Sequence, residues 1–129
     1  MAPRTALLIA TAAMAVIAAA ALLPATASAT TYMVGDESGW DVGPDYDAWA
    51  SGKKFKVGDT LEFLYSEGSH NVVVVDAQSY EACAVPSNAP TLTSGDDSVE
   101  LGQAGRWLFI CGVEGHCDAG MKLAVDVHG

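Results

Sequence analysis

Basic side chains are scarce. Six Lys and Arg stand against sixteen Asp and Glu in 129 residues, and Arg4 is the sole charged side chain before Thr30. Without the first 29 residues the balance is five against sixteen, a formal charge of about −11. Such a surface repels phosphate backbones and anionic lipid, which argues against nucleic-acid binding and against adsorption to a membrane. Asn-x-Ser/Thr triplets are lacking, so N-glycosylation is not expected. Neither a Pro/Ser-rich stalk nor a C-terminal hydrophobic tail for a lipid anchor follows the last apolar run, so no membrane anchor is expected in the mature form. No Ser/His/Asp grouping or paired-carboxylate arrangement stands out. Cysteine and histidine are limited to three each, and the odd number of cysteines calls for a reason.

Hydrophobic residues are plentiful but uneven: 22 lie in the first 29 residues and 43 in the remaining 100. Arg4, the apolar run Ala6–Leu23, Pro24 and the small-residue end Ala27-Ser28-Ala29 form a secretory leader pattern over residues 1–29. Cleavage is expected after Ala29, with Ala25-Thr26-Ala27 a second site. A transmembrane anchor is the rival reading, because the run has about 18 residues. Its alanine-rich composition, Pro24 and the missing basic flank favour the leader. The mature chain, 30–129, is then one domain in the oxidising extracellular space, where disulfides persist. All ten aromatic residues fall within it, which excludes disorder.

Short apolar runs separated by glycine-containing turns predict strands at Thr31–Gly35, Thr60–Tyr65, His70–Val75, Ser98–Leu101, Gly105–Ile110 and Met121–Val127. In the last of these, Met121, Leu123, Val125 and Val127 alternate with Lys122, Ala124 and Asp126, the period of a half-buried strand. Val72–Val75 is apolar on both faces, as in a strand covered on each side. Turns are expected at Lys56–Asp59, Ser66–Ser69 and Ser94–Asp97. Tyr46–Ser51 and Ala77–Ala84 read as short helices behind the capping residues Asp45 and Asp76. The expected fold is all-β: a Greek-key β-sandwich with one or two short helices.

His70 stands at the head of a predicted strand. Forty-one residues later, Cys111, His116 and Met121 recur at five-residue steps with Gly112, Gly115 and Gly120 between them. Cys111 closes one strand and Met121 opens the next, so the loop between them returns on itself at one end of the sandwich. A thiolate, two imidazoles and a weak thioether make the ligand set of a blue copper centre. The soft sulfur donors favour Cu(I), the imidazoles suit both oxidation states, and divalent copper outcompetes zinc for such donors. One copper per chain is therefore expected at His70, Cys111, His116 and Met121. Three disulfide pairings are open; with Cys111 as ligand the pair is Cys83 and Cys117, and with Cys111 bridged the site is lost. His128, near the C-terminus, is expected to be solvent-exposed.

The mature region resembles the phytocyanins, secreted plant blue copper proteins of the cupredoxin fold. The likeness runs through Tyr32-Met33-Val34-Gly35-Asp36, Gly39-Trp40, Trp49 and Phe55–Leu61. It continues through His70-Asn71-Val72-Val73-Val74, Tyr80–Cys83, Thr93-Ser94-Gly95, Phe109-Ile110-Cys111, Gly115-His116-Cys117 and Gly120-Met121-Lys122. The resemblance implies His70, Cys111, His116 and Met121 as copper ligands and Cys83–Cys117 as the disulfide. Methionine at 121 separates the chain from stellacyanin-like members, which use glutamine, and the kept ligands separate it from early nodulin-like ones. It points to the plantacyanin, or basic blue protein, subgroup, from whose basic character this acidic chain departs. It also implies His116 and His70 as exit points for electrons, and Asn71 is a candidate for hydrogen bonding around the thiolate.

The expectation is a secreted, monomeric, non-enzymatic carrier cycling Cu(II)/Cu(I) in the apoplast, with a small molecule or a protein as redox partner. The alternative is a secreted cell-wall or signalling protein of the pollen-tube-guidance kind, in which copper redox is secondary. An oxidase is disfavoured because four protein ligands leave no open position for substrate.

Overall fold

Burial along the strands follows the alternation in the sequence. The computed structural model describes residues 28–129, so the expected leader falls almost wholly outside the described residues. Among the described residues eight strands are formed: β1 (Thr31–Met33), β2 (Phe55–Lys56), β3 (Thr60–Leu64), β4 (Val72–Val75), β5 (Thr91–Leu92), β6 (Asp96–Glu100), β7 (Gly105–Ile110) and β8 (Lys122–His128). Two short helices, α1 (Tyr46–Ser51) and α2 (Ala77–Ala82), interrupt them. One sheet has the order β1-β3-β6 and the other β2-β8-β7-β4-β5. The pairs β1–β3 and β2–β8 are parallel and the remaining pairs antiparallel, so both sheets are mixed.

The core lies between the sheets. Leu61 and Phe63 of β3 meet Val72, Phe109, Leu123, Val125 and Val127 of the larger sheet, with Trp40 and Tyr46 closing one end. The Phe63 and Phe109 rings sit 5.2 Å apart across the two layers. Each such ring, withdrawn from water, contributes about 2–3 kcal/mol. On β8, Leu123, Val125 and Val127 are buried and Asp126 is exposed, as the period of two requires. On β4 the two faces serve different cores. Val72 enters the inter-sheet cluster, whereas Val73 packs with Tyr80, Leu108, Ile110 and Cys117 under α2.

Both helices start where an aspartate accepts a backbone N–H. Asp45 takes the Ala48 N–H (3.0 Å) and Asp76 the Ser79 N–H (2.8 Å), the arrangement that satisfies a free first-turn donor. Helix α2 ends at Ala82, two residues short of expectation, because Cys83 adopts a left-handed conformation (φ 51°) where the chain turns toward its disulfide partner. Strand β6 begins at Asp96, inside the stretch read as a turn. Asp97 there is buried, accepting hydrogen bonds from the Tyr65 hydroxyl and the Ser94 hydroxyl (2.7 Å). Strands β2 and β5, of two residues each, are too short to show any period, so the sequence pattern carries no signal for them. His70 lies in a bridge with Glu67, two residues before β4 rather than within it.

Candidate metal centre

Three of the expected ligands converge at one end of the sandwich. Cys111 follows β7 directly, and its N–H donates to the Met121 carbonyl (3.0 Å), extending the β7–β8 ladder by one rung. The loop between them folds back through His116 N–H to Val113 O, Gly120 N–H to Cys117 O and Met121 N–H to His116 O, at 2.9–3.0 Å. Gly115 and Gly120 take positive φ (82° and 102°), which this tight return demands of residues free of a Cβ. His70 arrives from the turn before β4.

The His70 and His116 Nδ1 atoms lie 3.1 Å apart, and Cys111 Sγ is 4.0 Å from the first and 3.5 Å from the second. Among the described residues this is the one group of three His, Cys, Asp or Glu side chains with ligating atoms so gathered. A point equidistant from the three atoms lies about 2.1 Å from each, close to the distances at which first-row metals hold imidazole nitrogen and thiolate sulfur. The donor set carries the same message. His70 Nε2 faces the Asp41 carboxylate at 3.1 Å, and a carboxylate only accepts, so Nε2 bears a proton and the neutral ring presents its Nδ1 lone pair to the cluster. Two imidazole nitrogens and a sulfur aimed at one point suit a cation.

Met121 is fully buried in the same cluster as Cys111, and its backbone groups bond both Cys111 and His116. The disulfide joins Cys83 to Cys117, tying α2 to the residue after His116, and Cys111 remains the free, buried cysteine. Asn71 Oδ1 accepts the Gly112 N–H at 2.6 Å, linking the residue beside His70 to the residue beside Cys111. A Cβ on Gly112 would lie 3.1 Å from both Val73 and Val85 and 3.2 Å from that same oxygen, so the junction is closely packed. His128 is exposed on β8, as expected.

Three residues around the centre escaped the sequence reading of the site. Trp40 donates its indole N–H to the Asn71 carbonyl (2.9 Å), and Asp41, the next residue, meets His70. Tyr65 stands edge-on to His70, with ring centroids 6.4 Å apart. Burial and the Asp97 carboxylate, which accepts a hydrogen bond from its hydroxyl, push the Tyr65 pKa up to about 12. Only Trp40 stood out in the sequence, as an aromatic beside Gly39. Asp41 is one carboxylate among sixteen and carries no motif.

Comparison with known proteins agrees with this geometry. A plastocyanin-like domain model matches residues 40–121. The blue copper protein of Petunia hybrida is 46% identical over 101 residues, covering 78% of this chain and 38% of its own length. The basic blue protein of Cucumis sativus is 42% identical over 95 residues, covering 74% of this chain and 96% of its own. The solved structure of cucumber basic protein, a blue copper protein, superimposes with a TM-score of 0.70 at 41% identity, over 75% of this chain and 98% of that one. The chain thus spans well under half of the petunia relative but nearly all of the cucumber one. On the strength of these matches, the two-sheet fold and the His–Cys–His cluster, the chain belongs to the phytocyanin family of blue copper proteins.

Proposed function

We propose that this chain is a one-electron carrier in which His70, Cys111 and His116 would hold a single copper ion, with the Met121 thioether as a weaker fourth donor. The observation that carries the reading is the convergence of two Nδ1 atoms and one sulfur within 4.0 Å of one another. Copper supplies a Cu(II)/Cu(I) couple that a thiolate–imidazole site keeps in one geometry. The chain's own residues do the rest. The β7–β8 ladder and the disulfide fix the loop, Asn71 holds Gly112 beside the first histidine, and burial of Cys111 and Met121 keeps water from the sulfur side. Such a rigid frame needs little rearrangement when an electron passes.

The partner is a cationic or neutral molecule. Asp41, Glu67, Glu114 and Asp118 lie on the segments that carry the ligands, while Lys56 and Arg106 pair with the far end of β8. Secretion belongs to the same reading. Thr30 N sits 2.9 Å from the fully buried Asp59 carboxylate, so cleavage after Ala29 delivers a new ammonium to a waiting acceptor. The disulfide suits an oxidising compartment.

The test is to load the mature chain with Cu(II). An intense blue band, a narrow copper hyperfine splitting and one copper per chain are expected, all lost in Cys111→Ser. Electron exchange should run faster with a cationic complex than with an anionic one of similar potential. A colourless protein, or an ordinary type 2 signal, would overturn the ligand assignment.

A further inference from the structure

The two imidazoles of the centre are not equivalent. His70 has its outer nitrogen 3.1 Å from Asp41 Oδ1, and its side chain is only 10% exposed. Among the described residues, no protein group accepts from the outer nitrogen of His116. Asp41 itself is 60% exposed, yet its backbone is closely held. The Asp41 N–H donates to the Tyr46 hydroxyl oxygen (2.8 Å), and that hydroxyl in turn lies 2.8 Å from the Gly39 carbonyl. Tyr46 is buried against Trp40, whose indole is bonded to the residue after His70. Gly39 passes so near β3 that a Cβ there would stand 2.7 Å from the Leu64 carbonyl. The Val42 N–H donates to the same Asp41 Oδ1 at 2.7 Å, which fixes the carboxylate's direction. A rigid arm, residues 39–46, therefore delivers one negative charge to the edge of one ligand ring.

We propose that Asp41 is a positioning residue of the metal centre: its carboxylate fixes the ring and proton of His70 and biases the centre toward Cu(II). The proposal rests on the ligand reading above. A carboxylate accepting the outer N–H of a ligating imidazole orients the ring and makes its inner nitrogen a stronger donor. Stronger donation and a nearby negative charge both favour the more highly charged metal state. Because Asp41 also covers the outer edge of His70, His116 is left as the open edge for electron exchange.

The experiment compares Asp41→Asn, which keeps an acceptor without the charge, Asp41→Ala, which keeps neither, and Glu114→Gln, which removes from the metal loop a charge that makes no hydrogen bond to His70. Reduction potentials are measured on the copper-loaded proteins, and the His70 ring N–H is followed by nitrogen-15 NMR in the metal-free proteins. Both Asp41 variants should shift the Cu(II)/Cu(I) preference about tenfold toward Cu(I), or about 59 mV upward in potential, and Glu114→Gln less than about twofold. In the metal-free wild type the outer N–H of His70 should exchange slowly, and in Asp41→Ala rapidly. A blue centre whose Cu(II)/Cu(I) preference moves less than about twofold in both Asp41 variants overturns the proposal alone. So does an equal shift in Glu114→Gln, because any nearby charge would then suffice. A chain that forms no blue centre removes the ligand reading and this proposal with it.

Discussion

Replacing Asn71 with alanine removes one hydrogen bond that spans 41 residues of sequence and joins the two halves of the metal centre. In the native chain the Asn71 side-chain oxygen accepts the Gly112 N–H at 2.6 Å, so the segment bearing His70 is clamped to the segment bearing Cys111. Without it the half-buried N–H of Gly112 loses its acceptor, which costs about 1–2 kcal/mol. For a domain of about 100 residues that lowers Tm by roughly 4–8 °C per kcal/mol. A second cost appears only with copper bound. The clamp holds the ligands at their working separation in advance, and losing such support typically weakens metal binding about tenfold, a further 1.4 kcal/mol or so. Urea denaturation of metal-free and copper-loaded protein separates the two terms. The loaded protein should lose about 1.4 kcal/mol more than the metal-free one. Equal losses in both forms would refute the idea that Asn71 organises the site, and no loss in the metal-free form would refute the clamp itself.

Two further outcomes follow from the frame around the centre. The Cys83–Cys117 bridge closes 34 residues of sequence, so the double variant Cys83→Ser/Cys117→Ser should lose about 3–4 kcal/mol in urea denaturation, and its metal loop should exchange amide hydrogens faster than β8. Asp59 is buried, a cost that raises its pKa. The hydrogen bonds from Thr30 N, Lys56 N–H and the Lys56 ammonium outweigh that cost and hold the carboxyl below its ordinary range. A depressed carboxyl stabilises the fold above its unfolded pKa of about 3.9, and that stability drains away as pH falls through the lower folded value. Asp59→Asn should therefore cost about 2 kcal/mol near pH 7 and progressively less as the medium is acidified below about pH 4. A difference that stays constant down to about pH 2 would show that the charge contributes nothing.

How far the site could be read in advance depended on whether the relevant signal was local. Cys111, His116 and Met121 lie within eleven residues on one loop, and their chemistry is unusual enough to name a metal. The caps at Asp45 and Asp76 were legible for the same reason, since each acts on an N–H three residues away. The alternation on β8 announced its buried face. The two-residue strands offered no period to detect, and Asp97 looked like turn material because its partner, Tyr65, lies 32 residues distant.

The order of residues along the chain was enough to specify an acidic domain of short strands, a candidate set of metal-ligating side chains and the odd cysteine among them. Those properties reside in residue type and in spacings of a few positions, where backbone geometry leaves few choices. The surroundings of each imidazole arose only on folding. Asp41 reaches His70 across 29 residues, Trp40 reaches Asn71 across 31, and Asn71 reaches Gly112 across 41. Nothing in one short stretch of chain encodes such meetings; they follow from how two sheets pack around a shared core and which loops that packing brings to the same end. The chain thus declares three of its four proposed ligands on one short loop, while the charge that sets one histidine apart from the other is placed by the fold.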